Sequence, residues 1–196
     1  MGHVLGQDFF ERDATLVAPE LLNKVLVVGE CRVRITETEA YRHDDPASHS
    51  CRGQTKRNAV MFGPSGCLYV YFTYGMHHCM NVTTGPHEQP QAVLLRAAVP
   101  LAGVDQIRQR RTRNRNPGMR PLIDSELLNG PGKLCQALGI DLTLNGTNLC
   151  VLSGASQTAP QLLIVDDGTT PPTLPTVTAR IGISQGTDRL WRWVTN

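Results

Sequence analysis

The chain has 196 residues and a mass of 21.5 kDa, with 40% apolar residues, 18% charged residues and a net charge of +2 at pH 7. A chain of this length is expected to form a single domain that spans residues 1–196. The composition excludes disorder, collagen and coiled coil. Every apolar stretch is far shorter than the ~20 residues that span a bilayer, so we expect no membrane association. The sequence opens without a basic segment and an apolar core. We therefore expect no export and a cytoplasmic location, or a nuclear one in a eukaryote.

The first half of the chain predicts one short helix followed by strands. Residues 13–22 have the spacing of an amphipathic helix, with Asp13 as its N-cap. Residues 24–28 and 31–38 read as paired strands around Gly29-Glu30, and residues 43–58 as a long polar loop. Further strands are predicted over residues 67–73, 79–84 and 91–99, the last apolar enough to be central.

The second half predicts two helices and several short strands. Residues 103–111 are expected to be helical, and Asn129-Gly130-Pro131 opens a helix that continues to Leu138 and ends at Gly139. Short strands are expected over residues 149–152, 162–165, 180–184 and 190–194, with a loop over residues 169–175. The prediction is a single α+β domain in which strands dominate.

The cysteines and histidines give little support for a disulfide framework or a metal site. Six cysteines are present and none has the C-x-x-C spacing, which favours free thiols in a reducing compartment. Zinc-site and metalloprotease motifs are also absent from the sequence, so we expect no metal. A weaker alternative is a metal-dependent hydrolase built on His49, His77, His78 and Cys79.

The small net charge conceals a strongly basic middle segment. Residues 46–120 hold ten basic and two acidic residues, a charge of +8, which leaves −6 for the remainder of the chain (+2 − 8). Six arginines and no acidic residue lie between Asp105 and Asp124. Because the planar guanidinium matches phosphate oxygens, a polyanionic partner is one interpretation. A solvated helix and loop is the other.

All four tyrosines lie between residues 41 and 74. Alternation along a strand places Glu37, Glu39 and Tyr41 on one face. It likewise places Tyr69 and Tyr71 on one face of a later strand. The ends of two sheets could then hold Tyr41 and Tyr71 on either side of a slot. Stacking a base there would contribute ~1–3 kcal/mol, and a cationic ring a further ~0.5–2 kcal/mol. The alternative is that these rings pack a core or cover a sheet edge.

Seven segments together carry a family resemblance over most of the chain, from about residue 8 to the C-terminus. They are Glu-Thr-Glu-Ala-Tyr (37–41), Ala-Ser-His (47–49), Gly-Gln-Thr-Lys-Arg-Asn-Ala-Val-Met-Phe-Gly (53–63), Leu-Tyr-Val-Tyr-Phe-Thr-Tyr-Gly-Met-His-His-Cys-Met-Asn-Val (68–82), Val-Leu-Leu-Arg-Ala (93–97), Asn-Gly-Pro-Gly-Lys-Leu-Cys-Gln-Ala-Leu (129–138) and Arg-Ile-Gly-Ile (180–183). In this order they resemble the alkyladenine (3-methyladenine) DNA glycosylase family. One departure is the segment between Tyr41 and His49, which lacks a Gly and one residue that the family usually has.

The resemblance implies a fold, a partner and a reaction. The fold would be a curved, mainly antiparallel sheet with a protruding hairpin, similar to the C-terminal domain of formyltransferases. The partner would be double-stranded DNA containing damaged purines, bound by a monomer without cofactor or metal. The enzyme would flip 3-methyladenine, 7-methylguanine, hypoxanthine or ethenoadenine out of the duplex and hydrolyse its N-glycosidic bond, which starts base excision repair.

The catalytic residues implied by the resemblance are Glu39 and Arg96. A carboxylate can favour the oxocarbenium character of the sugar and take a proton from the attacking water. Arg96 would hold the water and keep Glu39 ionised. Glu37 is the rival base on the same strand face. None of the three lysines lies in the apparent pocket, so no amine is available for a Schiff base and the enzyme would be monofunctional.

The resemblance also implies how DNA would be held. The flipped base would stack between Tyr41 and Tyr71 beside His49, and Asn81 would crowd out the exocyclic amine of guanine. Tyr74 would fill the vacated gap, flanked by Met76, and Gly75 independently indicates a tight turn there. The residues expected at the DNA backbone are Arg52, Lys56, Arg57, Arg108, Arg110, Arg111, Arg113 and Lys133. A base-stacking module without catalysis is the alternative function, which would have no use for Glu39.

Overall fold

The computed structural model describes residues 2–73, 75–86, 88–116, 118–151 and 161–196, and this part of the chain has an α+β architecture. Its helices are α1 (Gln7–Phe10), α2 (Ala14–Glu20), α3 (Val104–Thr112) and α4 (Pro131–Leu138). Its strands are β1 (His3–Val4), β2 (Val25–Val28), β3 (Cys31–Tyr41), β4 (Leu68–Thr73), β5 (His77–Thr84), β6 (Gln91–Ala102), β7 (Leu162–Asp166), β8 (Thr176–Thr178) and β9 (Arg192–Val194). Among these residues, no helix has the length and apolar character needed to cross a bilayer.

The nine described strands form one curled antiparallel sheet, in which seven follow the order β1-β7-β2-β3-β6-β5-β4. The strand β9 pairs with the end of β3 at Glu37–Glu39 and carries β8 on its other side. The helices α2 and α4 pack against β3, β5 and β6, and α3 packs against α4. The sheet therefore leaves a concave surface near the ends of β3, β4, β5 and β6, where the candidate site lies.

An irregularity in the two longest strands reverses which side chains face the main core. The register between β3 and β6 runs Ile35 to Ala98, Glu37 to Ala97 and Thr38 to Leu95. Each strand thus gains one extra residue, Thr36 in β3 and Arg96 in β6, as in a β-bulge. Ile35 faces the core before this point and Ala40 after it. Glu37, Glu39 and Tyr41 consequently lie on the concave side of the sheet.

Most predicted elements are confirmed. Asp13 caps α2, because its side chain accepts a hydrogen bond from the Thr15 amide. The helix α4 ends at Gly139, whose φ of 71° is a left-handed conformation that glycine adopts without strain. The predicted strands over residues 24–28, 31–38, 67–73, 79–84 and 91–99 are all present, and β3 and β6 extend by three residues at one end.

Three expectations about strands and sheets are wrong. Residues 149–151 form no strand, because the Cys150 amide bonds to the Asn148 side chain instead of a neighbouring strand, and residue 152 of that predicted strand lies outside the described residues. Residues 180–184 are irregular, because the Ile181 amide donates to a carboxylate and Gly182 has a φ of 77°. The candidate slot lies on one curled sheet, not between the ends of two. The strand predicted over residues 190–194 is present as the shorter β9.

Candidate functional site

A cavity of about 410 Å³ occupies the concave side of the sheet. The strands β3, β4, β5 and β6 supply one wall, and the irregular residues 181–185 supply another. Tyr41 and Tyr71 both line it, although β6 and β5 separate their strands in the sheet. The curl of the sheet brings these distant strands to the same cavity.

Glu39 lies directly behind the cavity wall and is completely buried. Its carboxylate contacts polar groups: the Tyr41 hydroxyl donates to Oε2 at 2.8 Å and the Ile181 amide donates to Oε1 at 2.8 Å. Arg96 Nη1 lies 3.3 Å from Oε2. Tyr41, Ile181 and Arg96 all line the cavity, so the buried carboxylate is one layer of side chains away from it. A fully buried carboxylate needs such partners to remain charged.

Arg96 joins the two glutamates of β3. Its Nε donates to Glu37 Oε1 at 2.8 Å, while Nη1 faces Glu39. Burial alone would lower the pKa of Arg96, but the charges of Glu39 and Glu37 raise it above its ordinary value. Glu37 Oε1 also accepts from Arg192 Nε at 2.6 Å. Glu37, the rival base, is thus held between two guanidinium groups.

Aromatic rings form much of the cavity wall. The ring of Tyr71 lies 5.6 Å from that of Tyr69 and 4.6 Å from the imidazole of His49, which meets it edge-on. Burial raises the pKa of both Tyr41 and Tyr71, and the neighbouring carboxylate of Glu39 adds to the effect at Tyr41. Both hydroxyls therefore stay protonated at neutral pH. The wall presents flat, uncharged surfaces suited to a planar ligand.

His49 reaches the cavity from the long loop between β3 and the hairpin. Its Nδ1 lies 2.9 Å from the Tyr69 hydroxyl, and Asn58 Nδ2 donates to its carbonyl oxygen at 2.7 Å. Burial, and then the positive charge of Arg57, lowers the pKa of His49 below its ordinary value. The imidazole is therefore neutral at pH 7. His49 thus lines the cavity, although the segment after Tyr41 lacks the glycine that the family resemblance leads one to expect.

Asn81 and Cys79 lie two residues apart on β5 and line the same cavity. Asn81 is buried and its Nδ2 donates to the Tyr69 carbonyl oxygen at 3.1 Å, which fixes the orientation of the amide. Burial raises the pKa of the Cys79 thiol. The thiol is therefore protonated at neutral pH and behaves as a small apolar group.

The hairpin formed by β4 and β5 ends in three residues between Thr73 and His77. Tyr74, predicted to enter the duplex, lies outside the described residues. Gly75 has a φ of 66°, in agreement with the tight turn that the sequence indicates. Met76 and Phe72 are exposed, by 69% and 46%. Apolar side chains this exposed at a hairpin tip are available to a partner.

The predicted backbone-binding residues divide into two groups. Arg52, Lys56 and Arg57 are exposed, and both arginines line the cavity. Three other arginines instead have partners inside the protein. Arg108 bonds to the Leu122 carbonyl and Asp124, and Arg110 bonds to the Ala137 carbonyl. Arg111 bonds to the Leu127 carbonyl and Gln136. Arg113 is exposed, and Lys133 Nζ donates to Asn129 Oδ1 at 2.8 Å. Contact of any of these residues with DNA stays a prediction.

Metal-ligating side chains do not cluster in the described part of the chain. No group of three or more His, Cys, Asp or Glu residues is arranged there to hold a metal ion. Of the residues named for that alternative, His49 faces Tyr69, and the ring of His78 lies 5.1 Å from that of Phe72.

Sequence reasoning missed several residues that shape the site. Ile181 contributes its backbone amide to Glu39, and Arg192 supports Glu37. Arg180 and Asp45 form a buried ion pair behind Tyr41. The only signal was the Arg-Ile-Gly-Ile segment, whose likeness to a family motif suggested importance without suggesting a role.

Comparison with known proteins identifies the family of the chain. Residues 8–196 match the family model described as methylpurine-DNA glycosylase. A protein of Burkholderia lata with the provisional name 3-methyladenine DNA glycosylase is 48% identical over 194 residues, which cover 98% of this chain and 87% of that protein. A protein with the same provisional name from Carboxydothermus hydrogenoformans is 44% identical over 97% of this chain and 94% of its own length. Another, from Methanoculleus marisnigri, is 51% identical over 72% of this chain and 71% of its own length.

Proposed function

Because the chain belongs to the methylpurine-DNA glycosylase family, we propose that it is a monofunctional glycosylase that removes damaged purines from double-stranded DNA. The substrates would be 3-methyladenine, 7-methylguanine, hypoxanthine and ethenoadenine. The observation that carries the proposal is the buried carboxylate of Glu39, which three donors hold behind a tyrosine-lined cavity. A module that only binds the polyanion would gain nothing from a negative charge at this place.

The proposed reaction begins when the damaged nucleotide rotates out of the duplex, which costs a few kcal/mol of pairing and stacking. Tyr74, with Met76 beside it, would fill the gap and offset part of this cost. The purine would enter the cavity between Tyr41 and Tyr71 with His49 at its edge. A volume of about 410 Å³ lies within the range of small-molecule sites and is adequate for a purine.

The chemical step would be hydrolysis by a water molecule next to Glu39. As the bond from C1′ to the purine nitrogen breaks, the electron pair leaves with the base and positive charge develops on the sugar. The carboxylate of Glu39 would stabilise that charge and accept a proton from the water as its oxygen bonds to C1′. Arg96 would orient the water and hold Glu39 in its ionised form. The products would be a free base and an abasic site.

Selection against normal guanine would fall to Asn81. Its amide is held by the Tyr69 carbonyl, so it cannot easily turn away from the cavity. A purine N2 amine that meets this group would clash or remain unpaired, and a buried unpaired group costs ~1–3 kcal/mol.

The wider expectations form part of the same proposal. The protein would act as a monomer of one domain, without a cofactor, on DNA in the cytoplasm, or in the nucleus if the source is eukaryotic. Its curled sheet would share the fold of the C-terminal domain of formyltransferases. Arg52, Lys56 and Arg57, together with Arg113 and Lys133, would contact phosphates. Arg108, Arg110 and Arg111 would keep their internal partners.

A base-release assay tests the proposed function. Four duplexes that differ only in the lesion, and a fifth with the normal base, are incubated with the protein, and free bases and abasic sites are quantified separately. We expect release of at least one damaged base, equal numbers of free bases and abasic sites, and strand cleavage only after alkali. Binding without any release would instead favour the base-stacking module.

A further inference from the structure

Two oppositely charged side chains that the proposed reaction does not use are completely buried behind the cavity. The side chains of Arg180 and Asp45 both have zero exposure, and the guanidinium contacts both carboxylate oxygens, Nη2 to Oδ1 at 3.0 Å. Arg180 Nη1 also donates to the Ala40 carbonyl at 2.9 Å. Burying a charged pair is costly, and apolar residues of the same volume often give equal or greater stability. The pair therefore calls for an explanation other than stability.

The guanidinium of Arg180 lies against the Tyr41 ring of the site. Its Cζ is 4.6 Å from the centre of that ring, within the range of a cation–π contact. The hydroxyl of the ring donates to Glu39 Oε2. The next residue along the chain, Ile181, donates its backbone amide to Glu39 Oε1. Ile181 thus contacts one carboxylate oxygen of Glu39 directly, and Arg180 reaches the other oxygen through the ring and hydroxyl of Tyr41.

Asp45 extends the same arrangement to the loop that carries His49. Its Oδ1 accepts from the Ala47 amide at 3.2 Å, and its carbonyl oxygen accepts from the Ser48 amide at 2.8 Å. Gly186, with a φ of 61°, packs so closely that an added Cβ would lie 2.9 Å from Asp45 Oδ1 and 3.1 Å from Arg180 Nη2. The ion pair therefore ties two irregular segments, 42–49 and 180–186, to each other at the back of the cavity.

We propose that Arg180, held by Asp45, is a positioning residue that sets the place of the Tyr41 ring and, through the Tyr41 hydroxyl and the Ile181 amide, the orientation of Glu39. This inference rests on the proposed function, since it concerns the same carboxylate. It makes the stacking surface and the carboxylate a single unit, because both depend on one guanidinium. A shift of the ring would move the hydroxyl away from Glu39 at the same time.

The test replaces the whole pair, so that neither charge is left buried without a partner. Arg180→Met with Asp45→Leu is compared with wild type in single-turnover release of whichever lesion the wild-type protein removes. The matched control is Arg34→Met with Asp167→Leu, another Arg–Asp pair, joined at 2.8 Å but partly exposed and outside the site. We expect the buried-pair variant to lose about 10²-fold in rate, as misplacement of reacting groups does, and the control to lose little.

A double-mutant cycle separates positioning from a general structural effect. Each of these variants is also made in the Tyr41→Phe background, which removes only the hydroxyl. If Arg180 acts through that hydroxyl, replacing the pair lowers the rate by a smaller factor in the Tyr41→Phe background than in the background that keeps Tyr41. An equal factor in both backgrounds, or an unchanged rate in the folded variant, would overturn the inference. Should the double variant fail to fold, Arg180→Lys decides, because it keeps the charge but not the planar group: slower release supports the inference and an unchanged rate refutes it.

The wild-type assay keeps the two proposals apart. If the wild-type protein releases no base from any lesion duplex, the proposed glycosylase function fails, whatever the variants do. If it releases base and the variants of the buried pair release it equally fast, only the positioning role of Arg180 fails.

Discussion

Arg96 lies between the two glutamates of β3, with Nε 2.8 Å from Glu37 Oε1 and Nη1 3.3 Å from Glu39 Oε2. The two carboxylates are nevertheless in different situations. Glu37 Oε1 is shared by Arg96 and Arg192, whereas Glu39 Oε1 accepts only the Ile181 amide among the hydrogen bonds of the described residues. A carboxylate oxygen has room for a second donor, which in the proposed reaction would be the attacking water.

The first prediction concerns this carboxylate. Glu39→Gln should lower the rate of base release by about 10²–10⁴-fold, the usual contribution of a general base, while affinity for a lesion duplex changes little. The measurement is single-turnover release together with a binding titration. The matched variant Glu37→Gln should lose less, because its carboxylate reaches the reaction only through Arg96. Release by the Glu39 variant at the wild-type rate would contradict the assignment.

The second prediction concerns pH and His49. Its pKa in the folded protein is below the unfolded value of about 6.5, so the unfolded chain binds the proton first as pH falls. The stability that neutral His49 contributes is therefore present above about pH 6.5 and is lost as the pH falls below this value. When the pH is lowered from about 7.5 to about 5, the thermal unfolding midpoint should fall less for His49→Gln than for the wild-type protein. Each kcal/mol of lost stability corresponds to about 2–4 °C in the midpoint. Equal falls for both proteins would refute it.

The third prediction separates the two groups of basic residues. Lys56→Ala should reduce the slope of log affinity against log salt concentration by about 1, as expected for the loss of one phosphate contact. Arg110→Ala should leave that slope unchanged and lower thermal stability, because Arg110 Nη1 bonds to the Ala137 carbonyl inside the protein. The measurements are binding titrations at several salt concentrations and thermal melts. A reduced slope for Arg110→Ala would show that its internal contacts open on DNA.

The fourth prediction tests selectivity. Asn81→Ala removes the amide that is held by the Tyr69 carbonyl and leaves space in the cavity. Release of normal guanine should then rise relative to release of a damaged purine, by up to about tenfold for each 1.4 kcal/mol of lost discrimination. The ratio of the two rates in one duplex context is the measured quantity. An unchanged ratio would mean that Asn81 has a structural role only.

The fifth prediction concerns Tyr74. Tyr74→Ser removes the ring that would occupy the gap in the duplex, so the preference for lesion over normal DNA should weaken. Competition binding with two duplexes that differ in one base measures this preference. Met76→Ser, at the neighbouring exposed position, serves for comparison and should have a smaller effect. If the Tyr74 variant keeps its full preference, that ring does not enter the helix.

The local features of the fold were predictable because short-range patterns decide them. Asp13 before an amphipathic run and Gly139 after one give the limits of two helices correctly, and alternation places Glu39 and Tyr41 on one strand face. Strand order was not predictable, because it depends on contacts between residues far apart in sequence. The sequence pattern therefore offered no means of seeing that Tyr41 and Tyr71 share one curled sheet.

The contributions of the C-terminal segment were missed for a different reason. Ile181 acts through its backbone amide, and no side-chain pattern reports a backbone donor. Arg180 resembles any surface arginine in the sequence, because its buried partner Asp45 is 135 residues away. Arg108 and Arg111 show what a run of arginines does not reveal. Backbone carbonyls inside the protein accept hydrogen bonds from both of these side chains, and no sequence pattern indicates such partners.

The extra residue in β3 makes the site depend on the length of that strand as well as on its chemistry. If β3 alternated regularly through Thr36, without the bulge, every later side chain of the strand would lie on the other side of the sheet. Two glutamates and a tyrosine would then enter the hydrocarbon interior, while Thr38 and Ala40 would face the cavity. Deleting Thr36 itself would leave Ile35 and Glu37 on opposite faces, as they are now, because it removes only the unpaired residue. Deleting Thr38 would instead turn Glu39 and Tyr41 into the interior, so the damage from a one-codon deletion depends on which side of the bulge it falls.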